Sequence, residues 1–387
     1  MTTPWTLADI EAAIRAGWSA ETCSPDDVER APWTADNPAW GHCDITSLVV
    51  QDLVGGELMV GEVWLDGEQQ GFHCWNVLPG GIRIDLTREQ FRRGQYVTPG
   101  RPMGKRPGGR LPRRWEEYQL LRRRVIDKLG PMPGAVGTAD GRRLAYRDFG
   151  GPGAPLLALH GHFQDGRTFE RLAREVGPAW RVVTLDQRGH GESDRAAEYS
   201  PEGYAADAAA VLEHLGLGPA VVLGHGLGGV TAYRLAAARP ELVRAVVVED
   251  AGAVVEGDLS FALRWPRRAA TRAAFLAGTG SSGAQLEDSV REYPDGWGPA
   301  FEPADMAESQ RRLNGDHWAH WLAARRPTLL VRGDRSPVLS AEHAREMTAR
   351  RPGVRLVELP AGHAGHAVHA GDPEGFAGVV REFLGRV

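Results

Sequence analysis

Ala220-Val221-Val222-Leu223-Gly224-His225-Gly226-Leu227-Gly228-Gly229-Val230-Thr231-Ala232-Tyr233-Arg234-Leu235-Ala236 is the stretch that decides how this chain is read. The opening apolar run predicts a buried strand, the glycines a tight turn, and the residues from Val230 a helix. Residue 226 falls at the tip of that turn. Glycine suits a strained backbone because it has no Cβ. It also leaves the tip without an atom that could attack a substrate covalently.

Working outward, strands and helices alternate from about residue 135. Strands are predicted at 143–148, 156–159, 182–185, 220–223, 243–248, 328–331 and 354–359. Helices are predicted near 167–175, 201–215, 230–239, 340–350 and 373–386. Apolar strands alternating with helices imply a mostly parallel sheet covered on both faces, an α/β fold. The stretch 252–325 breaks the alternation and reads as a helical lid, carrying Trp265, Trp297, Trp318 and Trp321.

Five motifs punctuate this pattern. His160-Gly161-His162 follows a strand. Leu185-Asp186-Gln187-Arg188-Gly189-His190-Gly191-Glu192-Ser193 forms a second turn. The glycine turn at 224–228 is third. Leu330-Val331-Arg332-Gly333-Asp334 ends a strand on an acid. Gly365-His366-Ala367-Val368-His369 leads into Pro373-Glu374-Gly375-Phe376. Any one is common, but the five in this order make residues 135–387 resemble an α/β-hydrolase, with Gly226 where that family's G-x-S-x-G turn carries serine. The resemblance implies a doubly wound sheet with a lid. It implies that His366 is the base, Asp334 its orienting acid, and the N–H groups of His162 and Leu227 an oxyanion hole. His363 is a rival base, less well spaced from Pro373, and Asp250 is a runner-up acid.

Those residue types answer the needs of acyl transfer: a nucleophile, a base, an acid fixing the base's tautomer, and N–H donors for the oxyanion. Without a side chain at 226 no acyl-enzyme forms there. His366 then activates water directly, or shuttles protons in an elimination or isomerisation. The alternatives are a ligand-binding domain with a dead pocket, and a hydrolase inactivated by a Ser→Gly change. His160, His190 and His225 belong to the turns and read as scaffold. The lid tryptophans suggest a small, partly apolar substrate, or simply a lid core.

Residues 1–130 read as a separate, smaller α+β domain, with Gly130-Pro131-Met132-Pro133-Gly134 as the boundary to 131–387. Thr6 is a candidate N-cap for a helix at 7–18. A helix from near Cys43 to Gly55-Gly56 precedes strands at 57–65, 71–78 and 81–86. A Gly/Pro/Arg-rich loop spans 92–114, a solvated loop or a phosphate contact, and a helix follows at 115–129. Cys43 opens its helix, where the N-terminus stabilises a thiolate. His73 lies on a strand and Asp85 on its hairpin partner. Thiolate, base and orienter in this chain order are those of transglutaminase-like and papain-like folds. Residues 20–130 resemble the YunG-type family, on Gly41-His42-Cys43, His73, Trp75-Asn76 and Asp85-Leu86-Thr87. The plainer alternative is a buried packing cysteine beside a structural His–Asp pair. The doublets His42-Cys43 and His73-Cys74 suggest zinc, but strand neighbours point to opposite faces. No metal and no cofactor is expected.

With 387 residues and a net charge of −5, the chain gives no reason to expect nucleic acid as partner. No apolar run approaches the roughly 18 residues of a membrane span. Three cysteines argue against a disulfide framework and suit the cytoplasm. The start, Met1-Thr2-Thr3-Pro4-Trp5, does not read as a signal peptide. The expectation is a cytoplasmic enzyme with a small-molecule substrate.

Overall fold

A computed structural model describes residues 5–103, 114–151, 153–177, 179–360 and 365–387. It divides into two compact units, Met1–Met132 and Pro133–Val387.

The first unit packs helices α1 (Leu7–Gly17), α2 (Pro25–Arg30), α3 (Cys43–Val54) and α4 (Trp115–Leu129) with strands β1 (Glu57–Leu65), β2 (Glu68–Leu78), β3 (Ile82–Ile84), β4 (Tyr96–Val97) and β5 (Arg101–Pro102). Thr6 caps α1 in a capping box with Asp9, satisfying N–H groups that have no carbonyl a turn earlier. The strands form one antiparallel sheet in the order β3-β2-β1-β4, with β5 also on β1. Ile10, Ile14, Ile45, Val49, Leu121 and Val125 form the core. Each such buried aliphatic side chain stabilises by about 1.5–3 kcal/mol. Helix α2 and strands β4 and β5 carry no clear periodicity in the sequence. β4 and β5 lie in the stretch expected to be loop, whose residues 104–113 fall outside the described ones.

The second unit is an eight-stranded sheet, built from β6 (Met132–Gly137), β7 (Arg143–Asp148), β8 (Ala154–Leu159), β9 (Trp180–Leu185), β10 (Ala220–His225), β11 (Val243–Glu249), β16 (Thr328–Gly333) and β17 (Val354–Leu359). The order is β17-β16-β11-β10-β8-β9-β7-β6. The pairs from β17 to β9 are parallel, and β7 is antiparallel to β9. Helices α5 (Glu170–Val176), α6 (Pro201–Leu215), α7 (Leu227–Ala238), α11 (Ala341–Arg350), α12 (Val368–Gly371) and α13 (Pro373–Leu384) connect the strands. Val222, Val246 and Leu330 of the sheet pack against Val211, Val230 and Met347 of the helices. This is the α/β-hydrolase sheet with a smaller domain before it.

The stretch after β11 differs from the helical lid expected. It holds helices α8 (Arg272–Gly278), α9 (Pro303–Leu313) and α10 (Trp318–Ala323), but also two small antiparallel sheets, β12 (Val254–Val255) with β15 (Gly315–Asp316), and β13 (Val290–Tyr293) with β14 (Gly296–Pro299). Two-to-four-residue strands are too short to show alternation. Its tryptophans are structural. Trp321 is fully buried and donates to the Met347 carbonyl at 3.0 Å. Trp265 and Trp297 pack on the cluster of Phe163, Phe275 and Met306. Trp318 sits under Arg350.

Candidate active site

Gly226 joins β10 to α7 at φ 51° and ψ −113°, a conformation that strains any residue with a Cβ. The turn is tight on one side and open on the other. A Cβ on Gly228 would meet the Leu159 carbonyl oxygen at 2.0 Å, so that glycine is required by close packing. A Cβ on Gly226 would stand 3.1 Å from His366 Nε2. The turn therefore points position 226 at the imidazole.

His366 Nδ1 lies 2.7 Å from Asp250 Oδ2. The carboxylate requires N–H at Nδ1, which leaves the Nε2 lone pair facing Gly226. Asp250 is fully buried and also accepts from the Gly333 N–H at 3.2 Å and the Ser336 hydroxyl at 2.5 Å. Ser336 Oγ in turn accepts from the N–H groups of Val338 and Leu339. Asp250 adopts φ 49°, a conformation that costs about 1–3 kcal/mol away from glycine and that this network holds. Asp334, the acid expected by sequence, is not on this imidazole. Its side chain is 41% exposed and 3.8 Å from Arg335. Asp250 follows β11, which is hydrogen-bonded to β10, and Asp334 follows β16, one strand further away. His363 lies outside the described residues.

His225 packs with its ring tilted against His366 at 4.3 Å and edge-on to His369 at 5.0 Å. Burial, with His366 and His369 beside it, holds His225 well below its ordinary value. Gln164 Oε1 accepts from its Nδ1 at 3.0 Å. His369 is fixed by the buried Glu249 at 2.8 Å and by Thr168 at 2.7 Å. His162 bonds Ser309 at 2.8 Å, and burial pushes it down to about 3. Leu227 is the first residue of α7, so its N–H has no carbonyl one turn earlier. Both residues line a cavity of about 510 Å³ with Gly226, Asp250 and His366. None of the four lid tryptophans lines it.

The first unit brings together Cys43, His73 and Asp85. Cys43 is the first residue of α3 and half-buried. His73 Nε2 lies 2.9 Å from Asp85 Oδ1, and Gln90 Nε2 lies 3.0 Å from His73 Nδ1. Cys74 and His73 are neighbours of the Cys43 thiol. The Cys74 contact and burial push the Cys43 thiol well up, against His73. Burial works to lower His73, but the bonds with Asp85 and Cys43 outweigh it and His73 is pushed up to about 9. Among the described residues no group of three or more His, Cys, Asp or Glu could hold a metal.

A family model described as alpha/beta hydrolase fold matches residues 154–370. The chain belongs to that family. Residues 6–130 match the YunG protein model. A 2-(acetamidomethylene)succinate hydrolase of Mesorhizobium japonicum is 30% identical over 239 residues, 58% of this chain and 85% of the relative. An sn-1-specific diacylglycerol lipase of Mus musculus is 29% identical, over 59% of this chain and 80% of the relative. The solved structure of an alpha/beta hydrolase from Novosphingobium aromaticivorans superposes with a TM-score of 0.58 at 29% identity, covering 66% of this chain and 99% of that one. By family, this alpha/beta hydrolase is an enzyme.

Sequence reasoning passed over Ser336 and Gln90. Ser336 lies two residues beyond Asp334, and Gln90 ends the single 3-10 turn Arg88–Gln90, too short to show periodicity. Their only signal is three-dimensional.

Proposed function

We propose that the second unit hydrolyses a small, partly apolar ester or amide, with water activated by His366 in place of a side-chain nucleophile at position 226. The observation that carries this reading is the pair of distances on one imidazole: Nδ1 at 2.7 Å from Asp250 and Nε2 at 3.1 Å from the place of a Cβ on Gly226. A water molecule above Gly226 gives its proton to Nε2 as its oxygen attacks the carbonyl carbon. The N–H groups of Leu227 and His162 receive the oxyanion. The tetrahedral adduct collapses, and the departing alcohol or amine takes the proton from His366. The products are the acid and the alcohol or amine.

The cavity supports the substrate class. Val230, Val254, Leu259, Phe261, Leu313 and Val338 form an apolar wall, while Glu256 and Asp258 add negative charge. No Lys or Arg stands among its described lining residues. A neutral or cationic acyl compound fits this lining better than a dicarboxylate such as the one in the Mesorhizobium enzyme's name. Cys23, Cys43 and Cys74 are all free, which agrees with a reducing, cytoplasmic setting. No helix among the described residues is long and apolar enough to cross a membrane.

The test is hydrolysis of a panel of neutral short-chain esters, lactones and anilides by the native chain and by His366→Gln. Hydrolysis that His366→Gln lowers by about 100-fold or more supports the reading. Equal rates overturn it, and the pocket is then one for binding alone.

A further inference from the structure

The cluster around Cys43 belongs to the first unit, and His366 and position 226 to the second. We propose that the first unit carries a second active site, in which Cys43, His73 and Asp85 cleave an amide through a thioester, with Gln90 as oxyanion donor and an extended, peptide-like chain along β2 as substrate.

Geometry supplies each part. Asp85 takes His73 Nε2, so the nitrogen left for the sulfur is Nδ1. Arg83 holds the other Asp85 oxygen at 2.7 Å, which fixes the carboxylate. The ring is held between Trp75, stacked at 5.8 Å, and Phe91, edge-on at 4.7 Å. Gln90 Nε2 lies 3.0 Å from His73 Nδ1; as its N–H groups turn from that nitrogen to an oxyanion, the Nδ1 lone pair is freed for the Cys43 proton. Cys43 and Gln90 share the wall of a cavity of about 640 Å³. The start of a twelve-residue helix favours negative charge on the sulfur.

The shape of that cavity indicates the substrate. Gln69, Gln70, Gly71 and Phe72 of β2 form one side. β2 pairs with β1 here except at the bulged Gln70, whereas β3 joins it only at Asn76–Leu78. The other edge of 69–72 thus has no strand neighbour among the described residues. Arg30, also on the cavity wall, donates to the carbonyl of the bulged Gln70 at 3.0 Å, which places this part of the strand beside the cavity. An open strand edge pairs with an extended backbone, and the 62% exposed Phe72 adds an apolar contact for a side chain.

In the reaction the Cys43 proton passes to His73 Nδ1 as Sγ bonds to the carbonyl carbon. The amine leaves with that proton, and water then cleaves the thioester, releasing the acid and restoring the thiol.

The experiment is site-resolved mass spectrometry of the full chain at pH 7, timed with iodoacetamide, with a tripeptide chloromethyl ketone and with chloroacetone. In Cys74→Ala, Cys43 should react with iodoacetamide at least ~10-fold faster than glutathione does, and adding His73→Gln should remove that advantage. Cys74→Ala should raise the Cys43 rate, because it removes the contact that holds the thiol protonated. The peptidyl reagent should beat chloroacetone by at least ~10-fold at Cys43. A Cys43 rate at or below that of glutathione in Cys74→Ala overturns the site, whether or not the variant with His73→Gln folds. Equal rates for the two ketones overturn the peptide-like substrate.

Discussion

His366 Nδ1 and Asp250 Oδ2 stand 2.7 Å apart, although 115 residues separate them in the chain and Asp334 lies much closer in sequence. The pairing rests on the backbone of Asp250, left-handed at φ 49°, and on the bonds from Gly333 and Ser336 that hold its carboxylate.

Exchange of the two candidate acids separates them. Asp250→Asn should lower kcat/KM of His366-dependent hydrolysis by about 10²–10⁴-fold, because the amide no longer fixes the productive tautomer. Asp334→Asn should change it less than about 3-fold. Steady-state kinetics on one ester checks both. A larger loss at Asp334 contradicts the assignment.

Restoring a nucleophile tests the geometry of the turn. In Gly226→Ser the new Cβ stands 3.1 Å from His366 Nε2, so the ring must give by a few tenths of an ångström. The left-handed backbone adds about 1–3 kcal/mol of strain. The variant should melt earlier than the native chain, yet react with a fluorophosphonate at residue 226 and hydrolyse p-nitrophenyl butyrate with a burst. Intact mass and stopped-flow traces read both effects.

Acid should destabilise the second unit through its buried histidines. His160, His190 and His225 are each at most 3% exposed, and burial holds all three below the ordinary value. In the unfolded chain they bind protons near pH 6.5. Below that pH the unfolded state binds more protons than the folded one, so stability falls as pH falls. Each histidine contributes up to about 1.4 kcal/mol per pH unit. Urea midpoints at pH 7.5 and 5.5 should differ clearly, with the lower value at 5.5.

Trp321 belongs to the core and not to the substrate cavity. Trp321→Ala should cost about 3–5 kcal/mol in urea unfolding of the second unit. Any loss of activity in the surviving folded fraction should be small.

Much of the fold is legible because its signals are local. The apolar run Ala220–Leu223 and the glycines that follow it specify strand, turn and helix within a few residues. Thr6 and Asp9 mark a helix start by their own side chains. Legibility ends where two locally equivalent candidates compete. Asp250 and Asp334 both follow apolar strands, and sheet order together with the Ser336 bond decides between them. The lid tryptophans read alike in sequence, yet packing sends Trp321 to the main core and Trp265 to a satellite cluster. Gln90 carries no sequence pattern; its place beside His73 comes from the fold of the first unit.

The central claim is that His366 drives hydrolysis with water above Gly226. The direct measurement is the turnover of p-nitrophenyl butyrate by the Cys43→Ala chain, which removes the other candidate nucleophile, with intact mass recorded during turnover. The account predicts nitrophenolate release without a burst, no acyl adduct on the protein, and a fall of about 100-fold when His366→Gln is added. Release no faster than in buffer, release unchanged by His366→Gln, or an acyl mass on the chain would contradict it.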